Sequence, residues 1–190
     1  KYCLITHSSL KKIKTKYSKL LINDFLNFDG KISNHKTVDR NIFYKMPTEN
    51  EMINLSKLKE KILIELSNIL NKELNQNYSL RYWRIVCGYY VDFVINVTYE
   101  RWHTIEEILK KEQVKSAPSI EYDIENGFID DVYHFGYLAS NNDDFNHFLY
   151  SKAIKYQNED LIKNNIVKEK IDLKNCVINH NKKFFKQQIN

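Results

Sequence analysis

Arg81 and Arg84 lie three positions apart in SLRYWRIVCGYYVDFVINVTYERW (residues 79–102), a spacing that puts both guanidinium groups on one face of a helix. Two planar forks side by side can grip a phosphate or carboxylate bidentately, as a sugar phosphate or an acidic sugar would require. The same arginines can instead pair with acids such as Asp92 or Glu100 and hold two helices together. Tyr82 and Trp83 offer either faces for a sugar ring to stack on or large apolar surfaces for a core. His7 and Asp24 each follow an apolar run that reads as a strand. Open α/β sheets take ligands beyond the carboxyl ends of their strands, so either residue could be the general base that deprotonates an attacking hydroxyl.

Other chemistries find little support. With four glycines there is no phosphate-cradling loop, and no ATP or dinucleotide cofactor is expected. Cys3, Cys87 and Cys176 are far apart, odd in number and in no paired spacing, which fits free thiols in a reducing compartment. The six histidines show no metal-ligand spacing, so no metal is expected, and His103 and His134 read as surface or satisfied core residues. The net charge of +5 is mild and scattered. Lysine runs near Lys11–Lys19 and Lys182–Lys186 read as solvated faces, and no nucleic-acid partner is expected. The Asn96-Val97-Thr98 sequon carries no weight without a secretory signal.

The elements that must position these residues can be read from periodicity. A chain of 190 residues, 43% hydrophobic, suits one globular domain. YCLIT (Tyr2 to Thr6) and KLLINDF (Lys19 to Phe25) read as buried strands, and Ser9 to Ser18 as a short basic helix or an irregular crossover. Thr48 and Glu51 have capping-box spacing. Leu55, Leu58, Ile62, Leu66, Ile69 and Leu70 then recur at helical steps up to a stop near Asn75 to Asn77. Ser79 reads as the N-cap of a second long helix, with Tyr82, Ile85, Val86, Tyr89, Phe93 and Val97 as its buried stripe and Gly88 as the place for a bend. Strand propensity in this stretch is high, but alternation fails at Tyr89-Tyr90 and Phe93-Val94-Ile95. Asp92 and Asn96 near its middle exclude a membrane span. SAPSIEYDIENG reads as loop, DDVYHFGYLAS (Asp130 to Ser140) as an irregular strand, and NNDDFNHFLYSKAIKY as a helix capped by Asn142 or Asp143. In that helix Phe145, Phe148, Leu149 and Ile154 are expected to face inward, and a last short apolar run follows at Cys176 to Ile178.

Ser79, Arg81, Tyr82, Trp83, Arg84, Ile85, Gly88, Phe93, Tyr99 and Arg101 resemble the R-Y-W-R-I … G … F … Y-D-R segment of the LIC12162-type bacterial transferases of surface-polysaccharide (O-antigen) clusters. Tyr89 stands at the usual proline and Glu100 at the usual aspartate. DDFNHFLYSKAI is similar to the family's D-x-W-N-x-x-L-Y-S-x-I helix, and KLLINDF sits where the family ends a strand in an L-G-E-W-type sequence. The resemblance implies a helix-rich α/β fold, with a modest parallel sheet and long helices, like the N-terminal domain of a GT-B glycosyltransferase. Family members are longer, so residues 1–190 would form the N-terminal, acceptor-side part, and the opening Lys1 fits a trimmed chain. A nucleotide-activated sugar donor and a saccharide acceptor would be the partners, in the cytoplasm and at most peripheral to the inner face of the membrane. Arg81, Trp83, Arg84 and Arg101 would bind substrate, and Asp24 or His7 would activate the acceptor hydroxyl. A non-catalytic helical interaction module is the alternative, and an exposed apolar stripe would favour it.

Overall fold

The computed structural model of the chain describes residues 2–6, 19–22, 35–39, 42, 46–125, 129, 131–162 and 166–172. They fall in two compact units, Lys1–Phe43 with Glu100–Asn190, and Tyr44–Tyr99. The class is α/β and rich in helix, with a small parallel sheet.

Strands β1 (Tyr2–Ile5), β2 (Leu20–Ile22), β3 (His35–Thr37) and β4 (Val114–Ser116) form a sheet in the order β3-β2-β1-β4, every neighbouring pair parallel. Cys3 pairs with Leu20, Leu4 with Leu21 and Ile5 with Ile22. Because side chains alternate across a strand, Leu4 and Leu21 enter one apolar cluster with Ile105, Ile108 and Ile154. Cys3, Ile5, Leu20 and Ile22 form a second cluster on the other face. A parallel sheet buried on both faces needs near-continuous apolar strands, which is why YCLI and LLI do not alternate.

The two strand expectations coincide with β1 and β2, and residues 23–25 of the second run lie outside the described residues. His7, the Ser9–Ser18 segment, Asp24 and the Cys176–Ile178 run lie outside the described residues. Strand β3 gave no sequence signal, since HKT contains no apolar residue.

The Tyr44–Tyr99 unit is built from α1 (Glu49–Glu73) and the first part of α2 (Leu80–Lys111). Thr48 caps α1 in a complete capping box: its hydroxyl accepts the Glu51 N–H, and the Glu51 carboxylate accepts the Thr48 N–H. At the other end Asn75 adopts φ 50°, the Gln76 N–H reaches Asn71 O, and the Asn75 N–H reaches Lys72 O. Together these make a Schellman stop. Ser79 Oγ caps α2 by accepting the Tyr82 N–H, and the helix then runs unbroken through Gly88.

The buried stripes correct the sequence reading. In α2, Trp83, Val91 and Ile95 are buried, whereas Ile85 is 77% and Tyr89 71% exposed, with Tyr82 and Val86 beside them. In α1, Leu55 and Leu63 are buried and Leu58 and Ile69 exposed. Both helices carry apolar residues on two faces, and the core of this unit selects Leu55, Leu63, Val91 and Ile95.

Beyond β4, two further expectations fail. The stretch read as loop contains β5 (Ser119–Glu125), which pairs in parallel with β6 (Ile166–Asp172), a strand that was not anticipated. The stretch read as an irregular strand is α3 (Val132–Asn141). Asp131 caps it by accepting the His134 N–H, and His134, Phe135, Leu138 and Ala139 give the three- and four-residue burial spacing of a helix. Helix α4 (Asp143–Gln157) follows as expected, with the Asn142 side chain accepting the Phe145 N–H. Phe145 and Ile154 are buried in it, whereas Phe148 and Leu149 are half-buried.

Candidate functional site

The chain adds β2 and β3 on one side of β1 and then, after α1 and α2, β4 on the other. A parallel sheet whose order reverses in this way opens a crevice at the carboxyl ends of the strands flanking the reversal. A cavity of about 230 Å³ lies there, lined by Leu4, Ile5 and Thr6 at the end of β1. Thr104, Ile105 and Ile108 from α2, Asp143, Asn146 and Tyr150 from α4, and Arg101 complete its wall together with the end of α3.

Arg101 is held rigidly. Its Nε–H and Nη2–H groups donate to Asn146 Oδ1 at 3.3 and 3.0 Å, and Nη2 also donates to Ala139 O at 3.1 Å. Nη1 lies 2.8 Å from Glu100 Oε2, and the guanidinium carbon is 5.9 Å from the centre of the Tyr150 ring. Asn146 in turn donates to Ala139 O and Asn142 O, so the corner between α3 and α4 is tied to this one side chain. Among the described residues, four of the five guanidinium hydrogens are thereby committed, which leaves one on Nη1. Burial pushes the Tyr150 phenol above its usual range, against the pull of Arg101, so it stays a neutral donor.

At the end of β1, Thr6 Oγ1 is 2.7 Å from Nδ1 of His147, which is completely buried. His147 Nε2 accepts the Ile120 N–H at 3.0 Å, with Ser151 Oγ at 3.3 Å. These three polar side chains join β1, α4 and the start of β5.

The other expected binders are not among the residues lining this cavity. Arg84 forms a two-pronged pair with Glu60 of α1, Nη1 to Oε2 at 2.7 Å and Nη2 to Oε1 at 2.6 Å. The acid is Glu60 rather than Asp92, which pairs with Lys59. Trp83 is 4% exposed and donates its indole N–H to Asn71, while Tyr82 and Arg81 are exposed. The structure therefore brings Arg101 to the sheet edge and leaves Arg81, Trp83 and Arg84 in the other unit.

Thr6, Asn146, His147 and Ser151 were not singled out from the sequence. A signal did exist: Asp143, Asn146, Tyr150 and Ser151 are positions where DDFNHFLYSKAI coincides with the family's helix pattern, and three of them line the cavity.

Among the described residues, no group of three or more His, Cys, Asp or Glu side chains could hold a metal ion. None of their helices is long and apolar enough to cross a membrane. The family profile of the LIC12162 family transferases matches residues 28–190. No curated protein and no solved structure matches the chain. The match covers most of the sequence, so the chain belongs to the LIC12162 family of transferases.

Proposed function

We propose that the chain is the acceptor-side domain of a glycosyl- or related group transferase, in which a nucleotide-activated sugar donates to a saccharide acceptor in bacterial surface-polysaccharide synthesis. The observation that carries this is the cavity at the carboxyl edge of β1. Its lining joins the apolar side chains of Leu4, Ile5, Ile105 and Ile108 to the polar ones of Arg101, Thr104, Asp143 and Asn146. Apolar contact for C–H faces plus a few fixed donors and acceptors is what a sugar ring needs. At about 230 Å³ the cavity is smaller than the roughly 300–1,000 Å³ of pockets that enclose drug-sized ligands, which favours a single ring over a whole nucleotide sugar. This matches a GT-B-like division of labour, with the nucleotide held by another domain.

In this reading Arg101 orients the acceptor and His7, next in the chain after Thr6, or Asp24 removes the proton from its hydroxyl. Arg81 and Arg84 contact an anionic group of donor or acceptor, and Trp83 supports them from the core. Glu60 takes two of the five guanidinium hydrogens of Arg84, and a ligand anion would bind beside it or displace it. A thermal-shift screen of this chain tests the proposal with D-glucose, D-galactose, N-acetylglucosamine, D-glucuronate, UDP and UDP-glucose. Binding at a hundred times Kd raises stability by about 2.7 kcal/mol. A monosaccharide should stabilise the chain and UDP alone should not; stabilisation by UDP alone, or by none of the six, rejects the reading.

A second reading, a non-catalytic interaction module, is favoured by one observation. Tyr82, Ile85, Val86 and Tyr89 form an exposed apolar face at helical spacing. Sedimentation of the wild type and of Ile85→Glu distinguishes it: a self-associating wild type that the substitution makes monomeric supports this reading, and a monomeric wild type removes self-association from it.

A further inference from the structure

We infer that Thr6 is a substrate-binding hydrogen-bond donor whose proton is aimed into the cavity by His147, a positioning residue. The inference rests on the proposed sugar site and adds to it a residue and a direction for its proton.

A backbone amide can only donate, so the Ile120 N–H at 3.0 Å requires a lone pair on His147 Nε2. Ser151 Oγ, 3.3 Å from the same nitrogen, is free to donate to it as well. The imidazole proton is therefore on Nδ1, and a protonated Nε2 would face the Ile120 N–H hydrogen to hydrogen. With Nδ1–H donating, Thr6 Oγ1 at 2.7 Å must accept. A hydroxyl that accepts from His147 keeps its own hydrogen for another partner.

Among the described residues Thr6 has no other side-chain partner, and it lines the cavity. The Ile120 amide thus sets the His147 tautomer, the tautomer sets the role of the Thr6 oxygen, and that role leaves the Thr6 proton available to the ligand. Arg101, which keeps one Nη1 hydrogen uncommitted among the described residues, lines the same cavity. Two donors beside apolar side chains favour a ligand group that accepts, such as a sugar hydroxyl, ring oxygen or carboxylate. The mutual constraint also explains why a fully buried histidine is used here: it is held on both nitrogens and has one orientation.

Two measurements test this. The first is the ¹⁵N spectrum of His147 in the wild-type chain, which separates the two neutral tautomers without any ligand. A protonated Nδ1 is expected, and a protonated Nε2 overturns the inference whatever the site binds. The second is an NMR titration of wild type, Thr6→Val and Thr6→Ser with D-glucose and D-glucuronate. Loss of one donor to a bound oxygen should weaken binding of the probe by about tenfold in Thr6→Val. Thr6→Ser, which keeps the hydroxyl, should bind within about twofold of wild type. Equal affinity of wild type and Thr6→Val overturns the inference while the sugar site stands. Failure of the wild type to bind either probe removes the site and the inference together.

Discussion

The Trp83 indole N–H donates to Asn71 Oδ1 at 2.9 Å, and the same oxygen accepts the Tyr78 backbone N–H at 3.0 Å. Asn71 Nδ2 returns a bond to Tyr78 O at 2.9 Å. One amide therefore closes the connection between α1 and α2 and accepts the indole N–H of the most conspicuous residue of the R-Y-W-R-I segment. Asn71→Ala leaves the buried indole N–H unpaired, which should cost about 1–3 kcal/mol. Urea denaturation followed by circular dichroism reads this directly, and an unchanged midpoint would show the clamp to be idle.

The Asn75 backbone is the second test of this connection. At φ 50° glycine is at home, asparagine is tolerated and a β-branched side chain is strained. Asn75→Gly should leave stability unchanged, and Asn75→Val should lower it by about 1–2 kcal/mol. Equal denaturation midpoints for the two variants would contradict the stop as described.

Much of this unit could be read in advance because its signals are local. Thr48 and Glu51 cap a helix from three positions apart, and the stop needs only Asn71 to Gln76. The choice of buried face could not be read, because Trp83, Val91 and Ile95 and their exposed rivals Tyr82, Ile85 and Tyr89 both satisfy a 3.6-residue period. Only the partner residues Leu55 and Leu63 decide between them. At the sheet edge the reason differs: Thr6 acquires meaning from His147, 141 positions away, and no spacing rule reaches that far. Parallel pairing of β5 with β6 is equally non-local, and aromatic residues in α3 mimicked a strand.

Cys3 is an informative site for pH. Burial pushes its thiol from 9.0 up to about 11, so unfolding releases its proton between those values. An acid whose folded pKa is raised keeps its full share of stability below the unfolded pKa and loses it as pH climbs toward the folded one. Wild type should thus lose about 2–3 kcal/mol more than Cys3→Ala between pH 9 and 11. Parallel pH curves for the two proteins would refute the burial argument, and rapid alkylation of Cys3 by iodoacetamide at pH 8 would do the same.

The Arg84–Glu60 pair has the opposite sign. Hydrogen bonds from Arg84 hold the Glu60 carboxyl below its ordinary value of 4.5. Its contribution is present above that value and disappears as pH falls through the lowered folded pKa. The pair is exposed, so the effect is small and weakens with salt. Glu60→Gln should match wild type in the most acidic buffers and fall slightly behind it near neutrality. A gap that widens as pH drops would be the wrong sign.

The central claim is that the cavity at the end of β1 receives a single sugar ring. Methyl-labelled chain titrated with D-glucose and D-glucuronate tests it most directly, because Leu4, Thr6, Val38, Thr104, Ile105 and Ile108 carry methyl groups on the cavity wall. Saturable shifts in these methyls, with Ile85 and Val86 unmoved, are the expected result. Shifts confined to Ile85 and Val86, or none in either group, would contradict it.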